Sequence, residues 1–280
     1  MKILVIGKSG QLAQELKQAA PEEILCLGRE EINVFDRDTL FNQIKHLAPD
    51  AVINASAYTG VDLAEKEVGK AYALNAQAVE NIGVVCFNLS IPLVHVSTDF
   101  VFDGSSNRPY DEFDVPNPIG AYGQSKYQGE QLLLAANPQS IIIRTSWVYG
   151  RFGSNFMKTM IRLGQERSEI GVVSDQWGSP TASFDLVKGI LKTIKHPSWI
   201  PGIYHFTNTG TITWFDFAQK IMALTGSNTV IKPIETSEYP TPAKRPKYSK
   251  LNTSKWEQTY QSEIPQWEES LQQILQNDAI

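Results

Sequence analysis

Three side chains in the middle of the sequence have the types and spacing needed to transfer a proton to a carbonyl oxygen. Tyr122 and Lys126 are four residues apart in "AYGQSKYQGEQLLLAA", so a helix would place them on one face. A tyrosine has a pKa of about 10, and a cation one helical turn away favours the tyrosinate and lowers that pKa. Thr98 ends the apolar run "PLVHVST", where its hydroxyl could hold a carbonyl oxygen beside the tyrosine. The set predicts acid–base catalysis at a ketone that receives a hydride.

A glycine turn near the start of the chain predicts a site for the diphosphate of a dinucleotide. In "VIGKSGQLAQEL", Gly7 and Gly10 lie between the first apolar run and the first helical pattern. The spacing is GxxGxxA and not the GxGxxG fingerprint, but Gly7 permits a tight turn and Gly10 lets backbone approach a pyrophosphate at the helix N-terminus. Ala13 is small enough for close packing of helix and strand. Taken alone, the motif is equally compatible with a purely structural turn.

The end of the second apolar run bears on which nicotinamide cofactor would be bound. A carboxylate that binds the ribose is expected about 20 residues after the glycine turn. In "CLGREE" this place is taken by Gly28, with Arg29 next. An arginine here can meet a 2′-phosphate, which favours NADPH, whereas the adjacent Glu30 leaves NADH open.

Short apolar runs alternate with helical patterns over the first half of the sequence. The runs "KILVIG", "DAVINAS" and "SIIIRTS" are apolar nearly throughout, which is typical of strands buried on both faces. With right-handed crossovers, the alternation predicts an α/β fold: a Rossmann-type doubly wound parallel sheet with a smaller C-terminal substrate lobe. We assign residues 1–150 to an NAD(P)-binding domain and 151–280 to the lobe, and expect part of 182–208 to return to the sheet.

Composition excludes several classes of partner. The net charge of −5 over 280 residues argues against nucleic acid and against an anionic membrane surface. No apolar run approaches the roughly 20 residues of a membrane helix, and the N-terminal residues lack the pattern of a signal peptide. Cys26 and Cys86 are far apart in apolar runs, as expected of free thiols in a reducing compartment. These features together predict a cytoplasmic protein.

The sequence resembles the extended short-chain dehydrogenase/reductase family over almost its whole length. Its late blocks are similar to those of reductases of nucleotide-linked sugars. The resemblance implies NAD(P)H-dependent reduction of the 4-keto group of dTDP-4-dehydro-6-deoxy-L-mannose, which gives dTDP-L-rhamnose. The blocks that carry it include "GKSGQLAQEL", "INASAYTGVDLAE", "NAQAVENI", "VHVSTDFVFDG", "NPIGAYGQSKYQGE", "IIRTSWVYG", "SDQWGSPT" and "YPTPAKRPKYSKLNTSK".

The resemblance also implies roles for individual residues. Thr98, Tyr122 and Lys126 would be the catalytic residues, and Lys126 would also hold the nicotinamide ribose. Together with the glycine turn, it gives a cofactor site formed by Gly7, Gly10, Gln11, Leu12, Arg29, Asn33, Val34, Ala57, Tyr58, Tyr122 and Lys126. The substrate site would comprise Thr98, Asp99, Trp147, Gln176, Pro180 and Arg245, with Arg245 as the cation for the dTDP diphosphate.

The sequence departs from the family pattern at three positions. Ala13 replaces the third glycine, Phe100 replaces the usual tyrosine of "STDYVFDG", and Asn33 lies where an aspartate is frequent. Some relatives hold a divalent metal at a subunit contact through glutamates. Only Glu15 is comparable here, so no metal is expected, and a homodimer is left open.

Other activities share parts of this pattern. A nucleotide-sugar 4,6-dehydratase needs an Asp-Glu pair after the threonine, but Asp99 is followed by Phe100. A C4 epimerase, or a reductase of another nucleotide-linked 4-keto-deoxysugar, is not excluded by the catalytic residues. A non-catalytic NADP-binding regulatory subunit, like that of methionine adenosyltransferase, is disfavoured by the intact catalytic set. Oxidation of NAD(P)H by the keto sugar would separate an enzyme from a binder.

Overall fold

A six-stranded parallel sheet forms the centre of the computed structural model, which describes residues 1–277. Residues 278–280, the end of the predicted C-terminal lobe, lie outside the described residues. The strands are β1 (Ile3–Ile6), β2 (Ile24–Leu27), β3 (Ala51–Asn54), β4 (Leu93–Thr98), β5 (Ile141–Thr145), β6 (Val148–Tyr149), β7 (Glu169–Val173), β8 (Trp177–Gly178), β9 (Thr181–Ala182), β10 (Gly202–His205), β11 (Ile212–Thr213) and β12 (Val230–Ile234).

Helices connect these strands and cover the sheet on both faces. They are α1 (Gln11–Ala19), α2 (Arg37–Leu47), α3 (Val61–Ala64), α4 (Val68–Tyr72), α5 (Ala78–Asn88), α6 (Ala121–Ala136), α7 (Phe156–Glu166), α8 (Ser183–Ile194), α9 (Trp214–Thr225), α10 (Ser254–Tyr260) and α11 (Trp267–Asn277). A π-helical turn, Ala73–Gln77, joins α4 to α5. Within residues 1–277, no helix is long and apolar enough to cross a membrane.

The order of the strands confirms the predicted doubly wound α/β fold. The central sheet runs β2-β1-β3-β4-β5-β10, and every neighbouring pair is parallel. The direction of winding reverses between β1 and β3. In open α/β sheets, ligands bind at the carboxyl ends of the strands at such a reversal.

Alternate residues of each central strand supply two separate hydrophobic cores. In β1, Ile3 and Val5 pack on the face covered by α1 and α8, whereas Leu4 and Ile6 pack on the face covered by α2, α5 and α6. All four side chains of this strand are buried. This double burial explains why the strand sequences are apolar throughout and do not alternate.

The part of the chain after residue 150 contributes to two cores. Met157, Phe217 and Trp267 belong to a separate core formed among α7, α9 and α11, beside the parallel pair β7 and β12. In contrast, Tyr204 of β10 and Trp256 of α10 pack with the strand residues of the central sheet. Residues from both sides of position 150 therefore share the main core.

Candidate active site

The glycine turn after β1 lies at the reversal point of the sheet. Gly7 has a φ of +114°, a conformation that L side chains rarely adopt. A Cβ at Gly7 would also lie 3.1 Å from the backbone carbon of Ala55 and from the backbone nitrogen of Ser56. Glycine at this position therefore lets the turn pack closely against the end of β3.

The start of α1 has the features of an anion site. Gly10 is the N-cap, and the first turn of the helix contains no acidic side chain. A Cβ at Gly10 would meet nothing within 4 Å, so the space over this backbone is open. Free N–H groups and the helix dipole favour a diphosphate at such a position. Gln11 and Leu12 follow, both half-buried, and the Gln11 side chain accepts a hydrogen bond of 2.8 Å from Asn155.

The end of β2 presents both the predicted cation and a carboxylate. Arg29 is 94% exposed, and it forms an ion pair of 3.1 Å with Glu30, which is 84% exposed. Glu31 accepts a hydrogen bond from the backbone of Gly28 and pairs with Lys8. Glu31 is thus held by the turn, whereas Arg29 is free to reorient towards a ligand.

Two further predicted cofactor residues, Asn33 and Val34, follow this turn. The Asn33 side chain accepts a hydrogen bond from the backbone N–H of Phe35, and Val34 is buried. Asn33 therefore supports the local turn, and Val34 packs in the core beneath it.

The segment after β3 is held in place by the π-helical turn. The Asn75 side chain accepts from the backbone N–H of Tyr58 at 2.8 Å and donates to the Tyr58 carbonyl at 3.1 Å. Asn75 also donates to the hydroxyl of Ser125 on α6. Ala57 and Tyr58, both half-buried, therefore lie between the glycine turn and the helix that carries Tyr122.

Helix α6 approaches the end of β4 closely because a glycine lies at the contact. A Cβ at Gly123 would lie 2.2 Å from the carbonyl oxygen of Phe100, so a larger residue would force the helix away. The ring of Tyr122 packs edge-on against Phe100, with centroids 5.5 Å apart. The first turn is capped by Glu65, which accepts a hydrogen bond of 2.8 Å from the backbone N–H of Ala121.

Of the catalytic residues predicted from the sequence, Thr98 and Tyr122 meet near this contact, but the pKa of Tyr122 moves in the opposite direction to the one expected. Burial raises the pKa of Tyr122 to about 12, the negative charge of Asp99 adds to this effect, and a hydrogen bond with Thr98 opposes it. The expected lowering by Lys126 is therefore wrong for this structure. Desolvation of the buried phenol is the largest cause of the shift, and Lys126 does not contribute to it.

Lys126 is directed into the sheet and away from the helix surface. It is 2% exposed, and its Nζ donates a hydrogen bond of 2.7 Å to the carbonyl of Val96. Burial lowers the pKa of Lys126 to about 8, although the charge of Glu130 acts in the opposite direction. The lysine is thus anchored beside β4.

Thr98 and Asp99 form the carboxyl end of β4. The Thr98 hydroxyl donates to Asp99 Oδ1 at 3.1 Å and accepts from the backbone N–H of Phe100. Asp99 is 2% exposed, and burial raises its pKa to about 6, although the hydroxyls of Ser249 and Thr98 lower it. At neutral pH this buried carboxylate opposes folding.

Asp99→Asn is expected to stabilise the protein at alkaline pH and not at acid pH. A pKa that is raised on folding contributes stability below the unfolded value of 3.8, and this stability is lost as the pH rises through about 6. We therefore expect the melting temperature to rise by roughly 5 °C at about pH 8 and to be unchanged at about pH 4. Differential scanning calorimetry at both pH values measures this. An equal shift at the two pH values would contradict the assignment.

A cavity of about 550 Å³ opens beside Phe100 and Ser249. This volume is within the range of small-molecule binding sites. Of the predicted substrate residues, Trp147, Gln176 and Arg245 line it. Its walls also include Phe156, Arg162, Arg167, Trp214, Tyr239 and Thr241. The cavity therefore joins the lobe to the catalytic residues through Phe100.

The predicted substrate residues after position 140 differ in their contacts. Arg245 forms a two-point ion pair with Asp62, with distances of 2.8 and 3.2 Å, and this guanidinium lowers the pKa of Asp62. Trp147, with a φ of +47°, stacks on Trp214 with centroids 3.6 Å apart. Pro180 is buried just before β9 and does not line the cavity.

Two residues of the site lie in sequence blocks that carry the family resemblance, but the sequence did not reveal their contacts. Asn75 and Glu65 act through contacts with distant segments, so neither spacing nor composition identifies them. A buried asparagine inside a helical pattern is the one available hint for Asn75. Among residues 1–277, no group of three or more His, Cys, Asp or Glu side chains could hold a metal ion. Glu15 accepts a hydrogen bond from Ser183 and pairs with Arg151 at 3.6 Å.

The fold and the site together define a class of protein: a doubly wound dinucleotide-binding protein. Its Thr98, Tyr122 and Lys126 lie on β4 and α6, and a cavity opens beside Phe100. A model of the family described as "RmlD substrate binding domain" matches residues 1–280, and the chain belongs to this family.

Individual relatives match along nearly their full lengths. A dTDP-4-dehydrorhamnose reductase from Sinorhizobium fredii is 40% identical, with 98% of this chain and 97% of the relative aligned. The crystal structure of a dTDP-4-dehydrorhamnose reductase from Bacillus anthracis in complex with NADP has a TM-score of 0.95 at 39% identity, covering 99% and 100% of the two chains. That of a dTDP-4-dehydrorhamnose reductase from Clostridium acetobutylicum has a TM-score of 0.94 at 38% identity, covering 99% of each.

Proposed function

We propose that this protein is an NADPH-dependent oxidoreductase that reduces the 4-keto group of dTDP-4-dehydro-6-deoxy-L-mannose to give dTDP-L-rhamnose. The observation that carries the proposal is the hydrogen bond between Thr98 and Tyr122, beside Phe100, which lines the cavity, with Lys126 one turn further along the helix of Tyr122. Relatives that match over their full lengths are named for this activity. The reaction is the last step of dTDP-rhamnose formation, which serves polysaccharide synthesis.

The residues around the winding reversal fit a dinucleotide. Gly10, Gln11 and Leu12 would hold its diphosphate at the start of α1, and Ala57 and Tyr58 would lie along its path. When bound, the reduced nicotinamide supplies the hydride. Lys126 would hold the nicotinamide ribose with an N–H that Val96 does not use.

Tyr122 is the proposed acid for the reduction. At neutral pH the phenol of Tyr122 is protonated, as an ordinary tyrosine is, and it can donate its proton to the C4 oxygen. Thr98 would donate its single hydroxyl proton to the same oxygen when substrate is bound, in exchange for its hydrogen bond to Asp99 Oδ1. Because a raised pKa weakens the phenol as an acid, the proposal rests on the placement of Tyr122 beside Thr98 and not on the pKa of Tyr122.

The cavity is the proposed site for the sugar nucleotide. Trp147 and Gln176 would contact it, and Phe100 would present an apolar edge where the family usually has a tyrosine. Arg245 is the proposed cation for the diphosphate and would exchange part of its pairing with Asp62 for the phosphate oxygens. Pro180, which follows Gln176 in the same segment but does not line the cavity, stays a predicted substrate contact.

The test of this function is consumption of NADPH by purified protein with dTDP-4-dehydro-6-deoxy-L-mannose and with other dTDP-4-keto-6-deoxysugars. Stoichiometric oxidation and a dTDP-L-rhamnose product, identified by NMR, are expected. Tight cofactor binding without oxidation would favour a regulatory subunit. Interconversion of C4 epimers without net oxidation would favour an epimerase.

Arg29→Ala is expected to weaken binding of NADPH about tenfold and to leave NADH nearly unchanged. Arg29 is exposed at the end of β2 and holds only a surface ion pair, so it can turn to a 2′-phosphate. Fluorescence titration of both cofactors measures the ratio, with Lys45→Ala on α2 as a control for loss of a surface cation. Equal weakening of both cofactors would show that Arg29 does not bind the 2′-phosphate.

We propose that the reaction takes place in the cytoplasm. Assembly of the protein as a homodimer stays a prediction. Cys26 and Cys86 are free thiols, as suits a reducing compartment. The proposed small-molecule partner is the dTDP-linked keto sugar.

A further inference from the structure

His95 is a fully buried histidine in β4 that contacts the proposed catalytic lysine. It is 0% exposed, and its two ring nitrogens have different neighbours. Nδ1 lies 3.1 Å from Nδ2 of Asn54 on β3, and Nε2 lies 3.3 Å from Nζ of Lys126 on α6. The ring therefore connects the strand at the winding reversal to the lysine.

The orientation of the Asn54 amide is fixed by Ser56. The backbone N–H of Ser56 can only donate, and it lies 3.1 Å from Asn54 Oδ1. The Ser56 hydroxyl lies 2.6 Å from the same oxygen. The other end of the amide is therefore the NH₂ group, and it donates to His95 Nδ1.

This donation fixes the tautomer of His95. A ring nitrogen that accepts a hydrogen bond carries no proton, so the proton of the neutral ring is on Nε2. Burial keeps the ring neutral, because it lowers the pKa of His95 well below its usual value. The Nε2–H group then faces Lys126 Nζ.

We infer that His95, held by Asn54, is a positioning residue for Lys126: its Nε2–H donates to Nζ and favours the neutral amine over the ammonium ion. An ammonium ion would place an N–H donor against another donor. The amine accepts from His95 through its lone pair and donates one N–H to Val96. Its second N–H remains for the ribose, so the inference deepens the proposed function and rests on it.

The other titratable groups around Lys126 do not supply the N–H donor that His95 directs at Nζ. Tyr122 and Glu130 lie one turn away on the same helix, and Glu130 is paired with Arg144 of β5 at 2.6 Å. Asp99, after β4, acts on Tyr122. Among the described residues, His95 is the titratable side chain that forms a hydrogen bond with Nζ of Lys126.

The tautomer can be observed directly in the full-length protein labelled with ¹⁵N-histidine. We expect the His95 signals to show the Nε2–H tautomer from about pH 6 to about pH 9, with no titration. The His95→Gln spectrum assigns the signals by their loss. An Nδ1–H tautomer, or an imidazolium ion in this range, would overturn the inference. This readout needs no turnover, so it stands or fails separately from the proposed activity.

The effect on Lys126 is tested by the pH dependence of NADPH binding. In Asn54→Asp, a carboxylate oxygen replaces the NH₂ group and accepts from Nδ1–H of His95, so Nε2 becomes an acceptor for the ammonium ion and the apparent pKa of the Lys126 step should rise by about one unit, a tenfold change in the equilibrium. His205→Gln is the matched control, because His205 is another fully buried sheet histidine but lies 3.5 Å from Arg144. It should leave that step unchanged. No shift in Asn54→Asp, or equal shifts in both variants, would contradict the role of His95.

Discussion

Replacing Tyr122 with phenylalanine is expected to lower turnover of the dTDP-linked keto sugar by about 100-fold or more. The variant keeps the ring that packs on Phe100 and loses only the proton donor. Affinity for NADPH should be nearly unchanged, because the glycine turn and Lys126 remain. Steady-state kinetics and cofactor titration measure the two properties separately.

Tyr127→Phe on the same helix is the matched control. Tyr127 is half-buried and packs in the small cluster around Val101 and Leu251, away from Thr98. Loss of its hydroxyl should leave turnover close to that of the wild type. If Tyr122→Phe retained comparable turnover, Tyr122 would not be the acid.

Glu130→Gln is expected to destabilise the fold by about 3–5 kcal/mol, because it leaves Arg144 buried without a counter-charge. The two side chains are 1% and 2% exposed, and Glu130 accepts hydrogen bonds of 3.0, 3.2 and 2.6 Å from Arg144. The melting temperature should fall by about 10 °C. Thermal unfolding followed by circular dichroism measures this effect.

Glu166→Gln removes the same charge from an exposed pair. Its partner Arg162 lies 2.8 Å away, and the two side chains are 59% and 50% exposed. Surface pairs of this kind contribute about 0.5 kcal/mol or less. Equal destabilisation by the two substitutions would show that the Glu130–Arg144 pair does not hold α6 to β5.

The central sheet could be predicted because its strands are buried on both faces. "KILVIG" and "SIIIRTS" admit few other interpretations, and the turn after β1 was recognisable from Gly7 and Gly10. Thr98, Tyr122 and Lys126 could be proposed together because a strand end and one helical turn fix where they lie. These are local features of the sequence.

The electrostatic state of the site could not be predicted in the same way. The pKa of Tyr122 depends on how deeply α6 packs against Phe100, which only the folded chain determines. The pairing of Arg245 with Asp62 joins segments 183 residues apart. The cap that Glu65 provides for α6 is likewise a long-range contact, and no spacing rule reveals either.

Transfer of deuterium from NADPH labelled at C4 of the nicotinamide to the sugar is the most direct test of the proposed reaction. With dTDP-4-dehydro-6-deoxy-L-mannose as substrate, we predict that deuterium appears at C4 of dTDP-L-rhamnose, in proportion to the NADPH consumed. NMR and mass spectrometry of the product locate the label. A product that carries no deuterium at C4, or a cofactor that binds without losing its label, would contradict the assignment of this protein as a 4-keto sugar reductase.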